Sequence, residues 1–298
     1  MRHFPSRRAV LAGLAAIPTL AGIGRAKTGK EKPLNLRVVM SGHSLTDPIP
    51  TPLIEMVQAV SGAPSEEIKI DNSSIPGSPA EHRWIQELNL PIDARRDIAN
   101  YDMLVLTERV PVRSTLQYHH SHDIALTWFT HAWKNGNGGK GAETVWYASW
   151  ISWMSGPGND DKYDLPDEQL IPFRERLDLE MGDWQDIADY VNRKRPDGSP
   201  RMRVIPGPKV MAAVYDAIKG GTAPGLTAMK ELFEDNIHPN RKGAYLIALA
   251  HYAVMYLRDP HEIPILRNDE GWPSPEQQVW MKDLVWEVVR AYPDSGLT

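Results

Sequence analysis

From residue 34 onward the chain alternates short apolar runs with longer stretches whose apolar positions recur every three or four residues. LNLRVVMSG (34–42) reads as a buried strand that ends in a small-residue turn. TPLIEMVQAVSG follows as a helix with Leu53, Ile54, Val57 and Val60 on one side, Thr51 as N-cap and Pro52 at the first helical position. EEIKIDNSSIPGS gives a second strand and a loop, YDMLVLTE (101–108) a third strand and AETVWYASW (142–150) a fourth. RMRVIPGPKVMAAVYDAI (201–218) holds a fifth short strand and then a helix. Strands spaced by helical stretches predict βαβ units, an α/β fold with a mainly parallel sheet covered on both faces.

Between the fourth and fifth strands lies more chain than a simple crossover needs, a loop and helical insertion at about 151–195. Near the end, Ser274, Pro275 and Gln277 form a capping-box pattern that predicts a helix over about 275–291. Its Val279, Trp280, Leu284, Val288 and Val289 are expected to pack on the main body. No internal repeat or low-complexity tract interrupts the pattern, so 34–298 reads as a single domain. Residues 1–26 stand apart. Arg7 and Arg8 precede a short apolar stretch rich in small residues, closed by Gly24-Arg25-Ala26 as a cleavage site. This pattern resembles a twin-arginine export signal and predicts a periplasmic or secreted protein with no stable membrane insertion after processing.

Composition narrows the chemistry. A formal charge of −5 leaves no basic surplus, which argues against a nucleic-acid partner. The absence of cysteine removes disulfides, thiol nucleophiles and thiolate metal sites. What remains is a hydroxyl between ionisable groups. In an open parallel sheet, sites gather beyond the carboxyl ends of the strands. Ser44, in the turn Gly42-His43-Ser44-Leu45 after the first strand, is placed there. It serves either as a turn or cap residue or as a nucleophile, and a serine needs a positioned base to react. FEDNIHPNRKGAYLIALAHYAVMYL supplies one. Asp235 and His238 are three residues apart, a spacing at which the carboxylate can bond one imidazole nitrogen and leave the other free for the serine.

A Gly-x-Ser-Leu turn after the first strand and a distant Asp-x-x-His-Pro resemble the first and last blocks of the SGNH (GDSL-type) hydrolases, over roughly residues 34–258. The resemblance implies a three-layer α/β/α sandwich with a flavodoxin-like sheet of about five strands. It also implies Ser44 as nucleophile, His238 as general base and acid, Asp235 as its orienter, and the Gly77 N–H as an oxyanion donor. Where the family carries a third-block Asn, this chain has Leu106-Thr107-Glu108-Arg109, which puts Glu108 at the oxyanion position. A carboxylate there would repel the developing charge. So either Glu108 pairs with Arg109 and does something else, or Thr107 or an Asn from another loop takes the place. His43 stands where the family has Asp.

His119, His120, His122 and Asp123 lie close in sequence, but neighbouring histidines diverge in direction, so they read as a polar patch and no metal is expected. Six of the ten tryptophans fall between Trp128 and Trp184, suited to core packing or to stacking on sugars. Together these observations predict an exported serine esterase that needs no cofactor and acts on small-molecule or glycan esters, O-acetyl groups on carbohydrate foremost. An O-acyltransferase with the same triad and a non-catalytic glycan-binding protein are the alternatives.

Overall fold

The structure, a computed structural model, describes residues 31–87, 89–159 and 163–297; the export-signal pattern lies outside these residues. Five parallel strands form one sheet: β1 Val38–Gly42, β2 Ile70–Ser74, β3 Met103–Leu106, β4 Glu143–Ala148 and β5 Arg203–Pro206. Their order is β2-β1-β3-β4-β5, the flavodoxin-like arrangement, and every pairing is parallel. β1 and β3 are buried along their whole length, which is why they read as unbroken apolar runs rather than alternating ones.

Helices α1 Pro50–Ser61, α6 Gly207–Lys219, α7 Arg241–Tyr256 and α8 Pro275–Ala291 cover one face, packing with Val38, Met40, Val105 and Val145. On the other face lie α2 Ala80–Ile85, α4 Ser121–Gly139 and α5 Phe173–Lys194, against Val39, Leu104, Leu106 and Trp146. A short α3, Val112–Leu116, links β3 to this second layer and touches α5. The helix within the expected insertion is α5 itself, the crossover between β4 and β5; the described residues 149–159 and 163–172 ahead of it belong to the added chain.

Two details differ from the sequence reading. α1 begins at Pro50 with Ile49 at its N-cap, so Thr51 sits in the first turn and caps nothing. α8 starts after Ser274 with the capping box in place, yet Val279 is 51% exposed and the buried side contains Gln278, Lys282, Met281 and Val285. Those polar residues go inward because the strap before the helix offers bare carbonyls. Gln278 donates to Arg267 O and Pro273 O at 2.8 and 2.9 Å, and Lys282 to Ile263 O at 2.5 Å.

α7 is buried on every side from Gly243 to Tyr256 and carries His251 in its interior. Burial holds that imidazole's pKa down at about 4, although its N–H donates to Ile247 O. The unfolded chain takes up a proton as pH falls below about 6.5, whereas the native chain does not until about 4. His251 therefore lowers stability on acidification across that window. Between pH 7.5 and 4.5 the wild type is expected to lose roughly 2 kcal/mol relative to His251→Leu. Urea denaturation at several pH values checks this; parallel curves for the two proteins would refute it.

Candidate active site

β1 delivers the chain to a tight turn at the carboxyl end of the sheet. A Cβ at Gly42 would collide with the Thr46 side chain, so the turn closes only around glycine. Thr46 N–H donates to His43 O at 2.7 Å and Ile49 N–H to Thr46 O at 3.1 Å. These bonds leave Ser44 half-buried and well ahead of α1, so it caps no helix.

His43 anchors the turn from below. Its Nδ1 accepts from the Leu45 N–H at 3.3 Å, so the proton sits on Nε2, which donates to Glu108 O at 2.9 Å. Burial first, then the nearby Arg83 charge, hold its pKa down at about 3 against the pull of that carbonyl. His43 is thus a neutral tie between the ends of β1 and β3.

The facing loop is built by Phe233 to Asn240. Phe233 and Pro239 form an antiparallel bridge, and Glu234 N–H donates to His238 O at 2.9 Å. Asn240 caps α7, its side-chain oxygen accepting from Lys242 and Gly243 N–H. Asp235 Oδ1 accepts from the Ile237 and His238 N–H groups at 2.8 and 2.7 Å. Partial burial raises the Asp235 pKa, but these donors and the imidazole together outweigh it and keep the group below the usual carboxylate range. Two tryptophans hold the loop from behind. Trp150 Nε1–H donates to Ile237 O at 3.0 Å, Trp153 Nε1–H to Asp235 O at 2.8 Å, and Trp153 N–H to Asn236 O at 2.9 Å.

The result is a continuous chain of contacts. His238 Nδ1 meets Asp235 Oδ2 at 2.7 Å and His238 Nε2 meets Ser44 Oγ at 2.8 Å, across a sequence separation of 194. The three residues singled out from sequence come together in the order a proton relay from serine requires.

Ser44 and His238 line a cleft of about 530 Å³ with Gly77, Arg109, Tyr163 and Asp164. Gly77 adopts φ +67°, a conformation that favours glycine, and this turns its peptide at the cleft edge. Among the described residues neither the Ser44 nor the Gly77 N–H donates to another protein group.

Glu108 is not at the cleft. It is fully buried, and its Oε1 accepts from the Ala80 and Arg109 N–H groups at 2.8 and 2.7 Å. Held inward by these bonds and absent from the cleft lining, the Glu108 side chain does not reach the oxyanion position expected for it from sequence. Its side chain makes no ion pair with Arg109, and the Thr107 hydroxyl is buried and turned to Glu108 O at 3.3 Å.

The histidine patch lies elsewhere, on α4 and the turn before it. His119 and His120 each bond Glu81 at 2.8 Å, and His122 bonds Asp186 at 2.8 Å. Among the described residues no cluster could hold a metal ion. Of the six clustered tryptophans, Trp128, Trp146, Trp150 and Trp184 are core residues.

One wall of the cleft gave no local sequence signal. Arg176 of α5, itself buried, bonds Asp164 at 2.9 Å and Ser155 Oγ at 2.8 Å and lies 3.2 and 3.3 Å from Glu180 and Glu168. It ties the loop that carries Tyr163 and Asp164 to the helical layer. A buried Arg on an amphipathic helix was the available clue, visible only once partners are known.

No family model matches the sequence, and no curated protein matches it. Among solved structures the fold is similar to that of a DUF4886 family protein from Bacteroides uniformis, with a TM-score of 0.58 and 14% identity over 87% of this chain and 96% of that one. Weaker likenesses are to a candidate SGNH hydrolase from Slackia heliotrinireducens (TM-score 0.42, 18% identity, 74% of this chain and 98% of that one) and to the lipase Lip_vut3 from a goat rumen metagenome (TM-score 0.38, 14% identity, 74% and 98%). At these identities the likeness is one of fold.

Proposed function

We propose that this chain is a serine esterase in which Ser44 is the nucleophile, His238 the general base and acid, and Asp235 the orienter of the imidazole. The observation that carries the reading is the Asp235–His238–Ser44 chain of 2.7 and 2.8 Å contacts, opening on a cleft with two unengaged backbone donors. In the first half-reaction the Ser44 oxygen bonds to the ester carbonyl carbon as its proton passes to His238 Nε2. The carbonyl oxygen becomes an oxyanion held by the Ser44 and Gly77 N–H groups. Collapse breaks the bond to the alcohol oxygen, which takes the proton from His238. Water then attacks the acyl-enzyme, giving its proton to the same nitrogen, and the carboxylic acid and free serine are restored. Asp235 stabilises the imidazolium in both halves.

The His238 and Asp235 side chains are 40% and 51% accessible, so water reaches the acyl-enzyme in the proposed hydrolysis. The carbohydrate expectation draws on the expected export and on six tryptophans, four of which are in the core, so an O-acetylated glycan is one ester class among several. Export continues to rest on residues 1–26. No helix among the described residues is long and apolar enough to cross a membrane.

Treatment with a fluorophosphonate tests the reading directly. One adduct per chain, mapped by peptide mass spectrometry to Ser44 and blocked by His238→Ala, is the expected result. No adduct, or one on another residue, would refute it.

The loop geometry carries a second expectation. Trp153→Phe removes the indole donor to Asp235 O but keeps an aromatic ring of similar breadth. The variant should lose about tenfold in kcat on an aryl acetate, since small displacements of a relay are costly. KM and Tm should hardly move. Steady-state kinetics and a thermal melt separate this from general destabilisation, which would lower Tm first.

A further inference from the structure

Arg109 stands out once the charges around the cleft are paired. Asp164, which lines it, accepts from the Ser155 hydroxyl at 2.7 Å and from Arg176 at 2.9 Å. Asp235 is engaged by the Ile237 and His238 N–H groups and the imidazole. Glu108 faces the interior, where it acts on the buried Arg83, whose own donors go to Ser41, Ser78 and Thr107. The Arg109 guanidinium has neither hydrogen bond nor ion pair among the described residues, and the residue lines the same cleft as Ser44 and His238. Its charge is felt at the catalytic turn: after burial and Arg83, it is one of the cations that depress the protonation of His43.

A guanidinium presents five donors in a planar fork that fits a carboxylate through two parallel bonds. Set in a concave site, half-buried and without an acceptor, it is a receptor waiting for an anion. A polyanion would want a second cation, and among the described residues that line the cleft Arg109 is the only arginine or lysine. A single carboxylate matches the supply.

We infer that Arg109 is a specificity-determining residue, and that the preferred substrates of the proposed esterase are esters carrying one carboxylate near the scissile bond, on the acyl or on the alcohol part. The inference rests on the Ser44 reading. It goes further in naming the class of substrate and the residue that selects it.

Two matched pairs of probes test it. 4-Nitrophenyl hemisuccinate against 4-nitrophenyl butyrate places the charge on the acyl side; 4-acetoxybenzoate against 4-methylphenyl acetate places it on the alcohol side. For the wild type, kcat/KM should favour the anionic member of at least one pair by about tenfold, the scale of a charge-assisted hydrogen bond. In Arg109→Gln that ratio should fall to about one, and Arg109→Lys should keep part of it. Raising KCl in the wild-type assay should erode the ratio as well, a check that needs no variant to fold. A ratio near one in both pairs, a ratio that survives Arg109→Gln, or a ratio insensitive to salt would each overturn the Arg109 assignment while leaving the esterase standing. Failure to hydrolyse any of the four compounds would overturn the esterase reading and this inference with it.

Discussion

Ser44→Ala is expected to abolish ester hydrolysis, with kcat on an aryl acetate falling by roughly 10⁴-fold or more. Among the described residues Ser44 Oγ is the hydroxyl that bonds His238 Nε2, at 2.8 Å, and no cysteine can stand in for it. Removing the oxygen leaves the base with no proton to take and no atom to form the acyl-enzyme. The residue is half-buried and makes no cap, so the variant should fold with an unchanged melting temperature. His238→Ala should cost a similar factor, and the double variant no more than either single change, because the two groups act as one unit. Stopped-flow and end-point assays with a folded variant decide the matter. Retained turnover in Ser44→Ala, or strictly multiplicative losses, would remove the nucleophilic mechanism.

How much of this was legible in the sequence depends on how local each signal is. β1, β3 and β5 were visible because they are buried along their whole length, and the spacing of all five strands by helical stretches implied parallel pairing. The Asp235–His238 element was visible because its chemistry is contained within four residues, two backbone donors and a side chain folding onto one carboxylate. What escaped was polar and long-range. Val279 carries an apolar side chain outward while Gln278 and Lys282 go inward, because the carbonyls of residues 263–273 need donors. Periodicity ranks residues by hydropathy and has no knowledge of an unmet carbonyl on another segment. The same limit hid Arg176, whose acceptors come from a loop and from its own helix. It also made Glu108 look like a cleft residue, since chain order places it correctly but cannot say which way its side chain turns.

That turn carries the second large effect. Glu108 and Arg83 are both fully buried, close enough for the carboxylate to support the guanidinium's charge without touching it. Burial pulls the Arg83 pKa down to about 10, with Glu108 opposing the fall, so the arginine stays charged at neutral pH. Arg83 itself holds the turn at Ser78 and the end of β3 together. It donates to Ser78 O at 2.6 Å, Ser78 Oγ at 3.0 Å and Ser41 Oγ at 3.1 Å, and also to Thr107 O. Glu108→Ala would leave a buried cation without its counter-charge and strip the acceptor from the Ala80 and Arg109 N–H groups. The expected cost is about 3 kcal/mol of stability, the scale of breaking a buried charge arrangement by removing one member. Melting temperature should drop by about 6 °C or more. Glu108→Gln keeps the Oε1 acceptor and loses only the charge, so it should fall between that variant and the wild type. Arg83→Met alone should be comparably damaging, yet Arg83→Met with Glu108→Gln should cost less than the two separate losses added, the mark of coupled groups. If Glu108 instead contributed to the oxyanion, Glu108→Gln would change kcat and leave the melt untouched. An additive double variant, with melting temperatures near that of the wild type, would likewise show that the pair is not what holds the floor of the cleft.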